Sequence, residues 1–375
     1  MLFNRLKLFK QELSRQGLYR QLNHGDQEGL INFSSNDYLS LSVDKAVQRA
    51  YQTGFKYYPV GSGGSRLING HRMHRYAERA FAEALGVDDC ILFSSGYAAN
   101  LALTALLAAL NAEVIVDKAV HASIYDGLAL RKILPIRYRH NDLGQLRSQL
   151  RKAGEHSAII TESIFSMSGQ ITPLKKIVSL SNHYKSTLFV DEAHAFGLCG
   201  KQGLGRIIDC DLTQEDVPIR VIPLGKAFGA CGAILAGKKV WLDALLQVAR
   251  PLIYSTAISP AMAYGYMLNL EVVRAADNRR EKLHELIVYF RQAIGPSSLS
   301  WRDSSSAIQY LRLGCSRLAL AYANHLYERG IYCQAIRCPT VSQSDTGLRI
   351  TLNYNHQTEN IDYLFSCLDK IRHNV

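Results

Sequence analysis

The sequence predicts an α/β fold, in which a large domain with a mostly parallel seven-stranded sheet is followed by a smaller α/β domain. Short apolar runs alternate with helical stretches between residues 90 and 236, as in parallel strands that are joined by helices. Beyond residue 259 the predicted helices become longer. We therefore expect three parts: an N-terminal helix and arm over 1–40, a large domain over 41–258 and a small domain over 259–375.

The composition is that of an ordinary soluble globular enzyme. Of the 375 residues, 47% are hydrophobic and 20% are charged. The longest apolar run, over 101–110, is too short to span a bilayer. The eight cysteines form no Cys-x-x-Cys pair and show no regular spacing with histidines, which argues against a zinc site and a disulfide framework. We expect a cytoplasmic protein with no metal site.

The net charge of +11 does not by itself indicate a nucleic-acid partner. Lys and Arg are spread along the chain, and no DNA- or RNA-binding motif accompanies them. The excess charge is explained by solvated surface, or by a patch that attracts an anionic substrate. We expect neither a nucleic-acid nor a membrane partner.

The N-terminal segment over 1–21 is amphipathic. Its apolar residues, from Leu2 to Leu13, recur near helical spacing. The segment is poor in acid, as transit peptides are, but it lacks the apolar core of a secretory signal. We interpret it as a helix packed on the body of the protein, with Arg20 near its end.

Two segments precede the first predicted strand of the sheet. The glycine-rich loop GSGGSR over 61–66 is either a structural turn or a place where backbone approaches a ligand closely, and it does not match a phosphate-binding P-loop. The segment from His71 to Leu85 has apolar residues on one helical face, and Gly86 ends it. We predict an amphipathic helix there.

The strand over 90–93 runs into a turn and a helix in the segment FSSGYAAN, over 93–100. Such a turn leaves free backbone N–H groups at the helix N-terminus, where an anionic phosphate is well placed. We assign a cofactor phosphate to Gly96 and Tyr97. The alternative is a plain connection between strand and helix. The other predicted strands cover 113–116, 136–139, 158–161, 187–190, 221–224 and 232–236.

Lys226 and Asp191 each follow a buried strand, and together they indicate pyridoxal phosphate chemistry. A lysine at the mouth of a buried strand is poorly solvated, which favours the neutral amine that forms a Schiff base with an aldehyde. A carboxylate at the end of the neighbouring strand keeps a pyridine nitrogen protonated. Alternatively, Lys226 is an ordinary loop residue, Asp191 only caps a turn and His194 is a packed loop histidine.

Further polar residues follow the predicted strands, and these include His121 and Ser166. Ligands bind at the carboxyl edge of an open α/β sheet. The clustering of polar residues at this edge therefore predicts a binding site.

The chain resembles the α-oxoamine synthases, which are fold-type I pyridoxal-phosphate enzymes related to the aspartate aminotransferases. The resemblance covers nearly the whole chain and rests on ordered segments at matching spacing. These segments include NFSSNDYL (32–39), FSSGYAAN (93–100), FSMSG (165–169), DEAH (191–194), GKAFG (225–229), IYST (253–256), SAIQ (306–309), AIRCPTV (335–341) and LRITL (348–352). The resemblance implies a homodimer with the active site at the subunit interface.

The resemblance also implies roles for single residues. Lys226 resembles the Schiff-base lysine and the base that removes the substrate Cα proton, Asp191 the partner of the pyridine nitrogen and His121 the imidazole that stacks on the ring. Ser166 and His194 resemble the groups that bind the phenolic oxygen of the cofactor. The implied cofactor contacts are Gly96, Tyr97, His121, Ser166, Asp191, His194, Lys226 and Thr256, the last of these reaching the phosphate of the neighbouring subunit.

The implied substrates are an amino acid and an acyl thioester. Asn36 and Arg349 resemble contacts to the amino-acid carboxylate, which an arginine grips with two parallel hydrogen bonds. Arg20 and Thr340 match positions that contact the acyl substrate, and His121 also faces the substrates. The closest likeness is to the biotin-pathway branch, which condenses L-alanine with pimeloyl-CoA or pimeloyl carrier protein and releases carbon dioxide.

Two other functions stay open at this point. A sister synthase would use glycine or serine and another acyl group. A non-catalytic paralogue would act as a binding or regulatory subunit, although such proteins often lose the lysine that is present here.

Two positions depart from the family pattern. Three residues before the lysine the family usually has Thr or Ser, whereas this chain has Pro223, which offers neither a hydroxyl nor an N–H group. We expect the loss of one phosphate hydrogen bond, which costs on the order of 1–3 kcal/mol unless a water or Thr256 replaces it. Cys338 stands where a second proline is usual.

Overall fold

The computed structural model describes residues 2–20, 22 and 29–374, with the backbone alone for 372–374. Met1 and Gln21, which the sequence places in the N-terminal amphipathic segment, lie outside the described residues. The described chain packs into two compact units. One unit comprises residues 36–166 and 171–281, and the other comprises 1–35, 167–170 and 282–375. The three-part division drawn from the sequence stays a prediction.

The strands are β1 (Ile31–Asn32), β2 (Asp89–Phe93), β3 (Glu113–Asp117), β4 (Ile136–Tyr138), β5 (Ser157–Glu162), β6 (Thr187–Asp191), β7 (Ile219–Pro223), β8 (Ala233–Gly237), β9 (Ser300–Trp301), β10 (Ile308–Arg312), β11 (Ile331–Tyr332), β12 (Gln334–Ile336) and β13 (Gly347–Thr351).

The helices are α1 (Leu2–Arg15), α2 (Lys45–Tyr57), α3 (Arg66–Asn69), α4 (Arg72–Leu85), α5 (Gly96–Ala109), α6 (Ala122–Leu130), α7 (Leu143–Leu150), α8 (Leu174–His183), α9 (Arg206–Asp209), α10 (Lys239–Val248), α11 (Arg250–Ile253), α12 (Pro260–Arg274), α13 (Asp277–Ile294), α14 (Ser316–Tyr327) and α15 (Thr358–Asn374).

The larger unit is built on a seven-stranded sheet in the order β2-β8-β7-β6-β5-β3-β4. Strand β8 runs antiparallel to β2 and β7, and the remaining neighbours pair in parallel. The predicted α/β fold with a mostly parallel seven-stranded sheet is confirmed. Each predicted strand of the sheet corresponds to one of these seven.

Both faces of the sheet are covered, and the central positions of its strands are mostly apolar. In β3, Val114 and Val116 pack into one hydrophobic cluster, whereas Ile115 between them packs into another. In β6, Phe189 joins the first cluster and Leu188 the second. Side chains alternate between the faces of a strand, so a continuous apolar run is what a doubly covered sheet requires. Several polar residues stand at the strand ends, and these include Asp117, Glu162 and Asp191.

The smaller unit contains a four-stranded sheet in the order β12-β13-β10-β9, and a parallel pair of β1 and β11. All neighbours in the four-stranded sheet are antiparallel.

Helix α1 differs from its prediction in packing. The structure has a helix from Leu2 to Arg15, but none of its residues is buried. Leu2 is 82% exposed and Phe9 is 61% exposed. The expectation of a helix packed on the body is therefore wrong for the chain by itself. Among the described helices, none is both long and apolar enough to cross a membrane.

Candidate active site

The parallel pairing of β5, β6 and β7 brings polar residues together at one edge of the sheet. Glu162, the last residue of β5, is the register partner of Asp191, the last residue of β6. Asp191 in turn pairs with Val221 of β7, and the chain reaches Lys226 a few residues later. The strand order therefore gathers the side chains that the sequence singled out.

Asp191 is 4% exposed and is held by two donors. Its Oδ1 accepts the N–H of Ala193 at 2.9 Å, and its Oδ2 accepts the Asn100 amide Nδ2 at 2.9 Å. Asn100 also donates to Ser123 Oγ at 3.0 Å. A carboxylate that is fixed in this way is suited to bind a protonated pyridine nitrogen.

His121 precedes α6 and presents its ring to solvent in this chain. Its Nδ1 lies 2.8 Å from Ser123 Oγ. Neighbouring protein atoms partly desolvate the ring, and this desolvation lowers the pKa of His121. The charge of Asp191 opposes the decrease in pKa, and the charge of Lys226 reinforces it. The ring is therefore neutral at pH 7 and offers a flat face for stacking.

Lys226 lies beside His194 at the mouth of β7. The Lys226 Nζ is 2.8 Å from His194 Nε2, and His194 Nδ1 is 2.5 Å from the Tyr38 hydroxyl. His194 is 3% exposed and Tyr38 is fully buried. The lysine is thus held at the edge of the sheet by an imidazole whose two nitrogens both have partners.

Glu162 is a second buried carboxyl group beside Asp191. Burial raises the pKa of Glu162 to about 8, and the charge of Asp191 adds to this effect. Glu162 Oε2 accepts the N–H of Ser166 at 3.1 Å, which connects it to a predicted cofactor contact. At neutral pH Glu162 is therefore mostly protonated, and the site does not accumulate two negative charges.

The start of α5 forms the other end of the site. Ser95 caps the helix by accepting the N–H of Ala98 at 3.1 Å, and Gly96 follows it. A Cβ at Gly96 would lie 2.6 Å from Pro223 Cγ, so only glycine fits against this proline. Tyr97 donates a hydrogen bond to Asp126. The backbone N–H groups here are placed as a phosphate requires.

Thr256 is exposed and lies in a small cleft of the same unit. The cleft is also lined by Arg66, Ser94 and Ser255. Arg66 is paired with the buried Glu78 at 2.6 Å, which holds its guanidinium group in place. One cation and three hydroxyl groups therefore surround this position.

The predicted acyl and carboxylate contacts Arg20, Thr340 and Arg349 belong to the smaller unit. Arg349 is buried and donates to Thr351 Oγ1 at 2.8 Å, whereas Arg20 and Thr340 are exposed. Arg337 donates to the carbonyl of Gly17, which ties the segment before Arg20 to the loop that carries Thr340. The structure thus brings these two acyl contacts into one region of that unit.

Sequence reasoning missed four residues that complete the larger unit's site: Tyr38, Asn100, Ser123 and Glu162. Each stands in or beside a segment that was singled out, such as NFSSNDYL or FSSGYAAN. The signal for Glu162 was a carboxylate directly after a buried strand, the same signal that pointed to Asp191. Asn36 lies two residues before Tyr38, and its Oδ1 accepts a hydrogen bond from the Tyr38 hydroxyl at 3.2 Å.

The arrangement fits pyridoxal phosphate. Asp191 offers a fixed carboxylate to a ring nitrogen, Lys226 offers an amine to an aldehyde, and Gly96 begins a helix whose N-terminal N–H groups suit a phosphate. Within the described residues, no three His, Cys, Asp or Glu side chains are placed to hold a metal ion. Fold and site together define a pyridoxal-phosphate-dependent transferase of fold type I.

Comparisons with known proteins place the chain within this class. The profile described as aminotransferase class I and II matches residues 28–368. The 8-amino-7-oxononanoate synthase of Saccharophagus degradans is 37% identical over 374 residues, covering 99% of this chain and 94% of that protein. The enzyme of the same name from Hydrogenovibrio crunogenus is 38% identical, covering 90% of this chain and 86% of its own.

Solved structures show the same likeness. The 8-amino-7-oxononanoate synthase of Francisella tularensis superposes with a TM-score of 0.82 and 30% identity, covering 92% of this chain and 99% of its own. The serine palmitoyltransferase of Sphingomonas wittichii gives a TM-score of 0.85 and 26% identity, covering 91% and 86%. The chain belongs to the class I and II aminotransferase family, on the branch whose curated members are 8-amino-7-oxononanoate synthases, and the resemblance to the α-oxoamine synthases is confirmed.

Proposed function

We propose that this protein is an 8-amino-7-oxononanoate synthase of biotin biosynthesis. It condenses L-alanine with a pimeloyl thioester, either pimeloyl-CoA or pimeloyl carrier protein, and releases carbon dioxide and the free thiol. The observation that carries the proposal is the pairing of Lys226 with His194 beside Asp191, in a chain that aligns over 99% of its length with such a synthase.

Pyridoxal phosphate, when bound, supplies an electron sink for the carbanion at the Cα of the amino acid. Asp191 holds the ring nitrogen in its protonated form, and Asn100 and the Ala193 N–H keep that carboxylate in place. His121 covers the ring with its neutral imidazole. Ser166 would donate a hydrogen bond to the phenolic oxygen, and His194 would do so when its Nε2 carries a proton.

Lys226 moves the protons of the reaction. It takes the Cα proton of L-alanine and later returns a proton to the same carbon after carbon dioxide has left. His194 Nε2 lies 2.8 Å from the lysine Nζ and can exchange that proton with it. A base within hydrogen-bond reach of the proton that it moves is the geometric requirement for this role.

Recognition of the substrates is shared among the remaining predicted residues. Arg349 and Asn36 bind the carboxylate of L-alanine, and Arg20 and Thr340 contact the acyl chain. Thr256 reaches the phosphate in the neighbouring subunit of a homodimer, and Gly96 and Tyr97 bind it within the same chain. The exposed position of Thr256 supports such a contact across subunits.

The proposal is tested by offering the purified protein, supplied with pyridoxal phosphate, one amino acid at a time together with pimeloyl-CoA. We expect 8-amino-7-oxononanoate and carbon dioxide from L-alanine, and little product from glycine or L-serine. The same assay with pimeloyl carrier protein identifies the preferred donor. No turnover with any of the three amino acids would favour a non-catalytic role.

A second candidate is a sister synthase that uses serine. Its support is the TM-score of 0.85 to the serine palmitoyltransferase of Sphingomonas wittichii. Turnover of L-serine with palmitoyl-CoA, but not of L-alanine with pimeloyl-CoA, would establish it in place of the first proposal.

A further inference from the structure

Four side chains of the larger unit form a continuous line of polar contacts that ends on the lysine. Lys226 Nζ lies 2.8 Å from His194 Nε2, and His194 Nδ1 lies 2.5 Å from the Tyr38 hydroxyl. The Tyr38 hydroxyl donates onward to Asn36 Oδ1 at 3.2 Å. The planes of the Tyr38 and His194 rings make an angle of 71°, so the phenol meets the imidazole with its hydroxyl and not with its face.

The segment that carries Tyr38 is fixed on both sides of the tyrosine. The Asp37 carboxylate accepts the N–H groups of Leu41 and Ser42 at 2.9 and 3.1 Å. Arg279 donates to the carbonyl of Leu39 at 2.8 Å. A side chain on so constrained a backbone has little freedom to leave its partner.

The turns that carry His194 and Lys226 are packed without spare room. A Cβ at Gly229 would lie 2.7 Å from the backbone nitrogen of Ser42, and a Cβ at Gly197 would lie 2.6 Å from Ala227 Cβ. Both glycines have positive φ angles, +69° and +88°, which glycine adopts without strain. The turn after His194 therefore touches the turn after Lys226, and the latter touches the Tyr38 segment.

A tyrosine hydroxyl suits every protonation state of the neighbouring imidazole. It accepts a hydrogen bond from Nδ1–H while donating to Asn36, or it donates to an unprotonated Nδ1. His194 Nε2 can therefore accept a proton from Lys226. The N–H bond of Lys226 breaks, its electron pair stays on Nζ, a bond from Nε2 to the proton forms, and the positive charge moves onto an imidazole whose Nδ1–H is bound by Tyr38.

We propose that Tyr38 is the positioning residue for proton transfer at Lys226, because it holds the His194 ring with Nε2 on the lysine amine. This inference rests on the proposed function, in which Lys226 moves the Cα proton of the amino acid. Tyr38 acts on the lysine through the His194 ring.

The first test measures loss of deuterium from the Cα of deuterated L-alanine in the holoenzyme, without any thioester. In metal sites, removing the hydrogen-bond partner of a ligating histidine lowers metal affinity or activity roughly 10- to 100-fold. We expect Tyr38→Phe to slow the loss of deuterium by a similar factor, with an unchanged KM for L-alanine. The matched control is Tyr138→Phe, since Tyr138 is also buried but lies on β4. The control should retain the wild-type rate within about twofold.

The second readout is spectroscopic and does not depend on activity. The proton that hydrogen-bonds the Tyr38 hydroxyl to His194 Nδ1 lies among buried side chains, so it should exchange slowly with solvent and resonate downfield in the proton NMR spectrum. We expect such a signal in the wild-type holoenzyme and in Tyr138→Phe, and its loss in Tyr38→Phe. Absence of the signal in the wild type, or its survival in Tyr38→Phe, would overturn the proposal.

If Tyr38→Phe fails to fold, a fluorinated tyrosine that is incorporated only at position 38 keeps the ring and its packing. Its more acidic hydroxyl should move the downfield signal and change the pH profile of deuterium loss. No change in either measurement would contradict the proposal. If the wild type exchanges deuterium from glycine or L-serine but not from L-alanine, the proposed substrate is wrong, while the role of Tyr38 is tested in the same way with the amino acid that reacts.

Discussion

The two ends of the cofactor site are built in different ways. At the ring end, Asp191 is buried and held by Asn100 and by the Ala193 N–H, each at 2.9 Å. At the phosphate end, backbone at Gly96 and Tyr97 takes the place of fixed charged side chains, and Pro223 stands where a hydroxyl would donate. In the proposed function, side chains therefore fix the reactive ring, whereas the phosphate depends on a helix N-terminus. The ring end should therefore be more sensitive to substitution.

The largest effect is expected when the carboxylate at the ring end is removed. Asp191→Ala leaves the pyridine nitrogen without its partner, and loss of one preorganised electrostatic contact lowers kcat by roughly 10²- to 10³-fold. Steady-state kinetics with L-alanine and pimeloyl-CoA measures the effect. Asp243→Ala, an exposed carboxylate on α10 that pairs with Lys239, is the control and should leave kcat unchanged.

Glu162→Gln tests how a buried carboxyl group at the ring end makes the stability of the protein depend on pH. Because the folded pKa of Glu162 is raised to about 8 from 4.5, the folded state binds more protons than the unfolded state between these values, and stability falls as pH rises through them. Between pH 6 and 8.5 this one group costs the apoprotein on the order of 2–3 kcal/mol. Thermal unfolding of wild type and Glu162→Gln across this range should show a smaller decline in the variant. Parallel curves would contradict the assignment.

Asn100→Ala tests whether the support of Asp191 matters to the reaction. Loss of a hydrogen bond to a charged group costs roughly 1.5–3 kcal/mol, which corresponds to a decrease of about 10- to 100-fold in kcat. Asn100→Asp, which adds a carboxylate beside Asp191, should be worse than the alanine variant. Equal kinetics for wild type and both variants would show that the amide does not support the ring end.

The smallest effect is expected at the phosphate end and has the opposite sign. Pro223→Thr adds a hydroxyl donor, and one hydrogen bond to a charged group makes pyridoxal phosphate bind roughly tenfold tighter. Pro223→Val has the same shape as the threonine variant without its hydroxyl, so it should not share the gain. Titration of the apoproteins with the cofactor gives both affinities. Equal affinities for the threonine and valine variants would mean that another group already satisfies the phosphate.

The sequence was sufficient for the sheet and for the charged residues at its edge. An apolar run of strand length predicts a strand of the sheet, and the polar residue that follows it, such as Asp191, predicts a residue of the site. The partners of those residues were not predictable in the same way. Tyr38 and Asn100 reach the edge from a loop and a helix that are distant in sequence, and only the packing of the chain brings them to His194 and Asp191.

Packing also decided the two features that differ most from simple expectation. Helix α1 has the apolar spacing of a packed helix, yet none of its residues from Leu2 to Arg15 is buried. Amphipathicity shows that a helix face can be buried but does not identify what covers it. The raised pKa of Glu162 follows from full burial beside Asp191, which a residue at a strand end does not reveal until its neighbours are placed.

The central claim is that this sheet edge holds pyridoxal phosphate through Lys226. Borohydride reduction of the protein loaded with the cofactor, followed by peptide mapping by mass spectrometry, tests it most directly. The account predicts one modified peptide, which contains Lys226 and carries the added mass of the reduced cofactor, and no modification in Lys226→Ala. A cofactor attached to another lysine, or no attachment at saturating pyridoxal phosphate, would contradict it.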